Sequence, residues 1–208
     1  MDRKYLITIG RQVGSGGLET AHKLSEQLGI KMYDKELLYE VSKQSGICPE
    51  LFVKNDEKSA KQRIFTFFGI GTSAQENDLL SADSSLNGAT LFKMQSEVMR
   101  DIASKESCIF VGRCADYVLR DMPDCHHFYI TADLEFRAKR IAASNGLSLA
   151  EAKRFIEQGD RKRADYYNYY TFKKWGDASS YDLCIDSSKI GVDNVVEIIK
   201  YYINTITK

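Results

Sequence analysis

The chain has 208 residues and a mass of 23.6 kDa, close to one domain at about 150 residues each, and 43% hydrophobic with 28% charged residues excludes a disordered chain. Its 29 lysines and arginines balance 29 aspartates and glutamates, so a global basic field for nucleic acid is excluded, and no run approaches the roughly 20 apolar residues that cross a bilayer. The apolar stretch after Met1 is too short for a signal peptide, and five cysteines (Cys48, Cys108, Cys114, Cys125, Cys184) without zinc-pair spacing point to reduced thiols in the cytoplasm.

Tyr5-Leu6-Ile7-Thr8-Ile9 is a compact, β-branched run of the kind buried on both faces of a sheet. Four glycines follow within eight residues (Gly10, Gly14, Gly16, Gly17), and then Leu18, Ala21, Leu24 and Leu28 recur at helical spacing before Gly29, a C-cap. Lys31-Met32-Tyr33 is a second strand, and Asp34 is placed to cap a helix carrying Leu37, Leu38 and Val41 and stopping at Gly46. The polar, small-residue stretch Thr72 to Gly88 reads as a loop. Ahead of it, Ile64, Phe65, Phe67 and Phe68 need an apolar partner, either the core or a second copy of the chain, which makes a homodimer an expectation. Leu91, Met94, Val98, Met99 and Ile102 outline a helix. Ser107 to Val111 is a third strand running into Gly112-Arg113, and His127 to Ile130 a fourth. Asp133 starts a helix with Phe136, Arg137, Arg140 and Ile141, and Ser148 with Glu151 has capping-box spacing for the next. Tyr181 to Asp186 is a fifth strand, and Val192, Val195, Val196, Ile199, Tyr202, Ile203 and Ile206 stripe a closing helix. Strands alternating with helices define an α/β fold, a parallel sheet covered by helices on both faces with ligand sites at the carboxyl ends of its strands.

The chemistry concentrates in four places. A strand, a glycine turn and a helix start present backbone N–H groups and a positive dipole end to a phosphate, and Gly14, Ser15, Gly16 and Gly17 are the candidates for that cradle. The glycines do not fit G-x-G-x-x-G, and the turn departs from G-x-x-x-x-G-K-[ST], with Gly17 at the lysine position, Leu18 at the hydroxyl and Arg11 at the first glycine. The Arg11 guanidinium is the candidate substitute for the lost charge. Arg113, at the end of the third strand, is a second candidate anion contact, with a surface salt bridge as the alternative. From Arg137 to Arg163 eight basic residues face three acidic ones, a net +5, read either as a solvated helix face or as a basic lid over a transferred phosphoryl group. Tyr166-Tyr167-Asn168-Tyr169-Tyr170 and Trp175 either pack that lid on the body or stack on a base, and Cys114 is either a reactive or a buried structural thiol. His22, His126 and His127 have no partners at metal-ligand spacing.

Ile9 to Gly17, Met32 to Leu38, Val111 to Asp116 and Asp160 to Tyr167 together resemble, in order along the chain, the cytidylate kinase-like family of P-loop nucleoside monophosphate kinases. The resemblance implies a five-stranded parallel sheet with a helical monophosphate-binding insertion at about 47–104, a helical lid at about 146–176, and a single-domain core of about 1–46, 105–145 and 177–208. It implies transfer of the γ-phosphoryl of ATP, with Mg²⁺, to a pyrimidine nucleoside monophosphate such as CMP or dCMP, with no membrane or nucleic-acid partner. Gly14 to Gly17 would cradle the donor phosphates, Asp34 would contact the acceptor nucleotide and Arg113 its phosphate, and Arg161 and Arg163 would come from the lid. The family's enzymes carry an aspartate where this chain has Val111, a serine where it has Lys35, and an arginine where it has Glu40. A catalytically degenerate nucleotide- or anion-binding protein, or a kinase for another small acceptor, are the alternatives on the same fold.

Overall fold

A computed structural model of the chain describes residues 4–34, 37, 38, 41 and 82–206, with the backbone alone for 82–87. The chain divides into two compact units, Met1–Lys35 with Ile102–Lys208, and Glu36–Asp101. In chain order the elements are β1 (Leu6–Arg11), α1 (Gly17–Leu28), β2 (Lys31–Tyr33), α2 (Ala82–Lys105), β3 (Cys108–Val111), α3 (Ala115–Val118), β4 (Cys125–Thr131), α4 (Leu134–Asn145), α5 (Leu149–Thr171), a 3₁₀ turn (Ala178–Ser180), β5 (Leu183–Asp186), α6 (Ser187–Ile190) and α7 (Val192–Ile206).

The five strands form one parallel sheet in the order β2-β3-β1-β4-β5. Its register sets Ile9 beside Val111 and Phe128, and Tyr33 beside Phe110. The strands therefore end together, and the turn after β1, Gly112-Arg113 after β3 and Asp34 after β2 lie along one edge. On one face Ile7, Ile9, Ile109, Val111, Phe128 and Ile130 pack against Ala21 and Leu24 of α1 and Val195, Val196, Ile199 and Ile203 of α7. This is the expected closing stripe, except that Ile206 is 51% exposed at the helix end. On the other face the Thr8 hydroxyl meets His127 Nδ1 at 2.8 Å and Tyr33 stacks on Phe110. Gly10 lies under the paired rings of Tyr129 and Tyr181, since a Cβ there would stand 2.8 Å from Tyr129 Cδ2. Burial on both faces is why the strands read as unbroken apolar runs.

Several boundaries differ from the sequence expectations for physical reasons. β5 starts at Leu183 because Asp177 caps the 3₁₀ turn before it, and β4 extends from Cys125 to Thr131 along β1. Of the loop expected over 72–88, residues 82–88 are helical. Continuing a formed helix by one residue costs little even through Gly88, roughly 1 kcal/mol, because the costly nucleus lies in the apolar turns downstream. Of the helix expected after Asp34, Leu37, Leu38 and Val41 are described and are helical. Lys35, Glu36, Glu40, Ile64 to Phe68 and residues 72–81 lie outside the described residues. The capping box at Ser148 and Glu151 is present, whereas the Asp133 carboxylate pairs with Lys189 instead of capping α4. Among the described residues no helix is long and apolar enough to cross a membrane.

Candidate active site

The turn between β1 and α1 passes through the left-handed region at Gly14 (φ 77°) and Gly16 (φ 80°). It is held from its outer surface. The Ser15 hydroxyl donates to the Gln12 carbonyl at 2.9 Å, and the Ser187 hydroxyl donates to the Ser15 carbonyl at 2.6 Å. Gln12 Oε1 accepts from the Thr131 hydroxyl. Val13 is clamped at both backbone atoms, its N–H donating to Asp160 Oδ1 (2.7 Å) and its carbonyl accepting from Arg137 Nη1 (3.2 Å). Arg137 and Asp160 pair at 2.6 Å, and Arg137 Nε also holds the Ala132 carbonyl. The Val13 side chain packs among Ala138, Ala152 and Ile156, close enough to α5 that a Cβ on Gly159 would stand 2.8 Å from it.

Those fastenings leave the inner amides. Among the described residues, none accepts a hydrogen bond from the N–H groups of Gly14, Gly16 or Gly17. Three donors around the positive end of a 12-residue helix form an array suited to an anion. Beside it, Gly14, Arg140, Ile141, Ala143 and Ser144 line an open groove of about 470 Å³.

Three of the four candidate arginines converge on the same edge. Arg11 extends toward β3, and a Cβ on Gly112 would overlap its guanidinium. Arg163 Nη1 donates to the Arg11 carbonyl at 3.0 Å. Desolvation pulls the Arg163 guanidinium below its ordinary pKa, and the repulsion from nearby Arg113 adds to this while Asp160 and Tyr129 oppose it. Arg113 lies over the Tyr166 ring at 4.9 Å. Burial pushes the Tyr166 phenol up to about 12, against the pull of Arg113. Gly112, Arg113 and Cys114 all have positive φ (74°, 56°, 56°), a left-handed turn closed by the Ala115 N–H on the Gly112 carbonyl. Such strain at a non-glycine residue costs of order 1–3 kcal/mol and concentrates where a side chain must be aimed. Arg161, by contrast, is exposed and pairs with no described residue. Two positions on a helix differ by about 200°, so the face that brings Arg163 to the loop turns Arg161 to solvent. Asp34 lies half-buried at the end of β2, on the same edge.

The basic stretch is partly neutralised within the fold. Arg137 pairs with Asp160, Arg140 with Glu19 in the first turn of α1, and Lys153 with Glu135. The hydrogen bond from Arg140 holds the Glu19 carboxyl below the usual range. Asp160, Arg137 and Ser187 are the residues that shape the turn without any local sequence signal, apart from Asp160 being the one acid at the head of the block Asp160-Arg161-Lys162-Arg163.

The aromatic run is divided between packing and exposure. The Tyr167 hydroxyl donates to buried Asp116 at 2.6 Å and Trp175 meets Tyr129 edge-on, whereas Tyr169 is 64% exposed. Burial raises the Asp116 carboxyl above its usual range, with the Tyr167 hydrogen bond opposing. The folded state therefore holds that proton more tightly than the unfolded chain, so Asp116 weakens folding as pH climbs from the ordinary carboxyl range through its raised value. Urea titrations of wild type and Asp116→Asn from pH 4 to 7 are expected to show the variant gaining on wild type as pH rises; parallel curves would remove this assignment. Burial also raises the Cys114 thiol, so Cys114 is a structural thiol here and not a reactive one.

ATP and Mg²⁺ fit the site unequally. The open amides suit a polyphosphate. The two positions that would hold the metal are Leu18, whose side chain offers no oxygen, and Val111, fully buried in the apolar sheet, and among the described residues no cluster of three His, Cys, Asp or Glu is present. The chain thus offers no magnesium ligand at these positions, and no step below runs through the ion.

A glycine turn between the first strand and helix of a 2-3-1-4-5 parallel sheet, with arginines gathered at the strand ends, is the architecture of the P-loop kinase fold. The sequence profile of the cytidylate kinase-like family matches residues 6–189, and the chain belongs to that family. Its relatives include the cytidylate kinases of Methanopyrus kandleri (25% identical over 196 residues, 94% of this chain and 91% of that one) and Thermococcus sibiricus (32% over 206 residues, 96% and 89%). Among solved structures, an uncharacterized protein from Eubacterium ventriosum is 30% identical with a TM-score of 0.72, covering 97% of this chain and 99% of that one. The shikimate kinase of Bacteroides thetaiotaomicron, 14% identical with a TM-score of 0.52 over 96% and 98% of the two chains, shares the fold.

Proposed function

We propose that the protein is a nucleoside monophosphate kinase, transferring the γ-phosphoryl of ATP to a pyrimidine monophosphate such as CMP or dCMP. The observation that carries this reading is the juxtaposition of the open amides at Gly14, Gly16 and Gly17 with Arg11, Arg113 and Arg163 at one sheet edge. In this reading the amides, with Ser15 shaping the turn, hold the donor phosphates. Arg113 binds the acceptor phosphate, Asp34 contacts the acceptor nucleoside, and the segment 47–104 is the acceptor-side insertion. Residues 146–176 form the lid, from which Arg163 reaches the transferred group and Arg161 closes over it from its present solvent position. An acceptor phosphate oxygen attacks the γ-phosphorus as the bond to the β–γ bridging oxygen breaks, leaving ADP and a nucleoside diphosphate. The attacking oxygen is already ionised near neutral pH, so no side chain has to remove a proton. Catalysis is then positioning and charge neutralisation, which arginines supply.

A second reading, a nucleotide- or anion-binding protein without turnover, is favoured by the apolar Leu18 and Val111 at the two metal-holding positions. An ATP-consumption assay with magnesium over a panel of monophosphates and other small acceptors separates them. Turnover with a pyrimidine monophosphate is expected; ATP binding by calorimetry with no turnover across the panel would establish the second reading.

A further inference from the structure

Gly17 occupies the position of the phosphate-loop lysine, and its backbone does not explain why it is glycine: it is the first residue of α1, with no positive φ. Space explains it. A Cβ on Gly17 would lie 2.5 Å from Arg11 Cβ and 3.0 Å from Arg11 Cγ, with Ile130 Cβ behind at 3.4 Å. The volume in which a side chain would leave the start of α1 is filled by the stem of Arg11. That stem continues toward Gly112, where a second absent Cβ leaves room for the guanidinium. Two glycines, 95 positions apart in the sequence, thus wall one arginine. The Arg11 main chain is fixed by the ladder to Ile130 and by Arg163 on its carbonyl.

We propose that Arg11 and Gly17 are a reciprocal replacement: Arg11 takes the volume of the missing lysine and supplies the phosphate-facing cation in its stead, delivered nearer the acceptor strand β3. This deepens the phosphoryl-transfer reading and rests on it for the catalytic role, while the steric exchange and the anion contact stand independently of turnover. A planar guanidinium can bridge oxygens of two phosphate groups at once, which a lysine ammonium does less well. The same geometry makes a restored lysine incompatible with Arg11, since both stems would need one space.

The test is a set of variants read by thermal unfolding and by calorimetric titration with inorganic tripolyphosphate. Gly17→Ala is expected to lower Tm in the wild-type background and to have little effect when Arg11 is already glycine, which removes the Cβ that would stand 2.5 Å from the new one. Arg11→Ala is expected to weaken tripolyphosphate binding by about tenfold to a hundredfold, the range for hydrogen bonds to charged groups. Arg11→Gly combined with Gly17→Lys is expected to recover most of that binding, whereas Gly17→Lys alone is not. Equal loss of Tm from Gly17→Ala in both backgrounds, or tripolyphosphate binding by Arg11→Ala at wild-type strength, would overturn the proposal. The kinase reading fails separately: tripolyphosphate binding and the Arg11–Gly17 coupling both present, with no acceptor phosphorylated.

Discussion

Asp160→Ala is expected to destabilise the protein by about 3 kcal/mol, the cost of breaking a buried ion pair by removing one partner, and so to lower Tm by roughly 10 °C for a chain of this size. The carboxylate does two things at once. Oδ1 accepts the Val13 N–H and Oδ2 pairs with Arg137, which is 7% exposed. Alanine leaves a guanidinium without its counter-charge and a loop amide without its acceptor. Asp160→Asn keeps an oxygen for Val13 and should recover part of the loss. Removing both charges, Arg137→Met with Asp160→Ala, should cost less than Asp160→Ala alone, because the uncompensated charge dominates. Thermal and urea unfolding of the three variants checks the order. If Asp160→Ala were within 0.5 kcal/mol of wild type, a magnitude typical of neutral surface changes, the clamp would be irrelevant to the fold.

Arg113→Ala is the second large effect, expected on kcat/KM rather than on stability. On the proposed function Arg113 holds the acceptor phosphate, and losing one arginine from a phosphoryl-transfer site costs about a thousandfold in rate or more. The structural loss is smaller: the contact with Tyr166 is worth about 0.5–1 kcal/mol. Tripolyphosphate binding, which reports the donor cradle, should change little. Arg113→Lys keeps the charge without the planar fork and should restore only part of the activity. Turnover in Arg113→Ala within threefold of wild type would remove Arg113 from the acceptor site.

The two predictions differ in how much of their basis could be read from the sequence. Arg113 is legible because it ends an apolar run and follows a glycine, so the strand that buries Cys108 to Val111 must deliver it to the sheet edge. The turn at Gly14 to Gly17 is legible for the same reason: glycine spacing and strand-to-helix order are local. Asp160 is not. Its ligand is the Val13 amide, 147 positions away, and a charge inside a basic stretch looks like any solvated helix charge until α4 and α5 fold against the loop. The +5 stretch therefore overstated the field at the loop, because Glu19 and Glu135, which lie outside it, answer two of its charges. Arg161 and Arg163 look equivalent in the sequence, and only the rotation of α5 about its axis separates them. Residues 82–88 show the converse, a polar composition carried into a helix by the turns that follow it.

The proposed site requires the inner amides of the loop to receive phosphate oxygens. Amide NMR of ¹⁵N-labelled protein titrated with ATP tests this most directly. The resonances of Gly14, Gly16 and Gly17 are expected to shift downfield together and to gain protection from solvent exchange, while Val13, held by Asp160, moves little. Saturating ATP that leaves those three resonances in place and perturbs another surface would contradict that requirement.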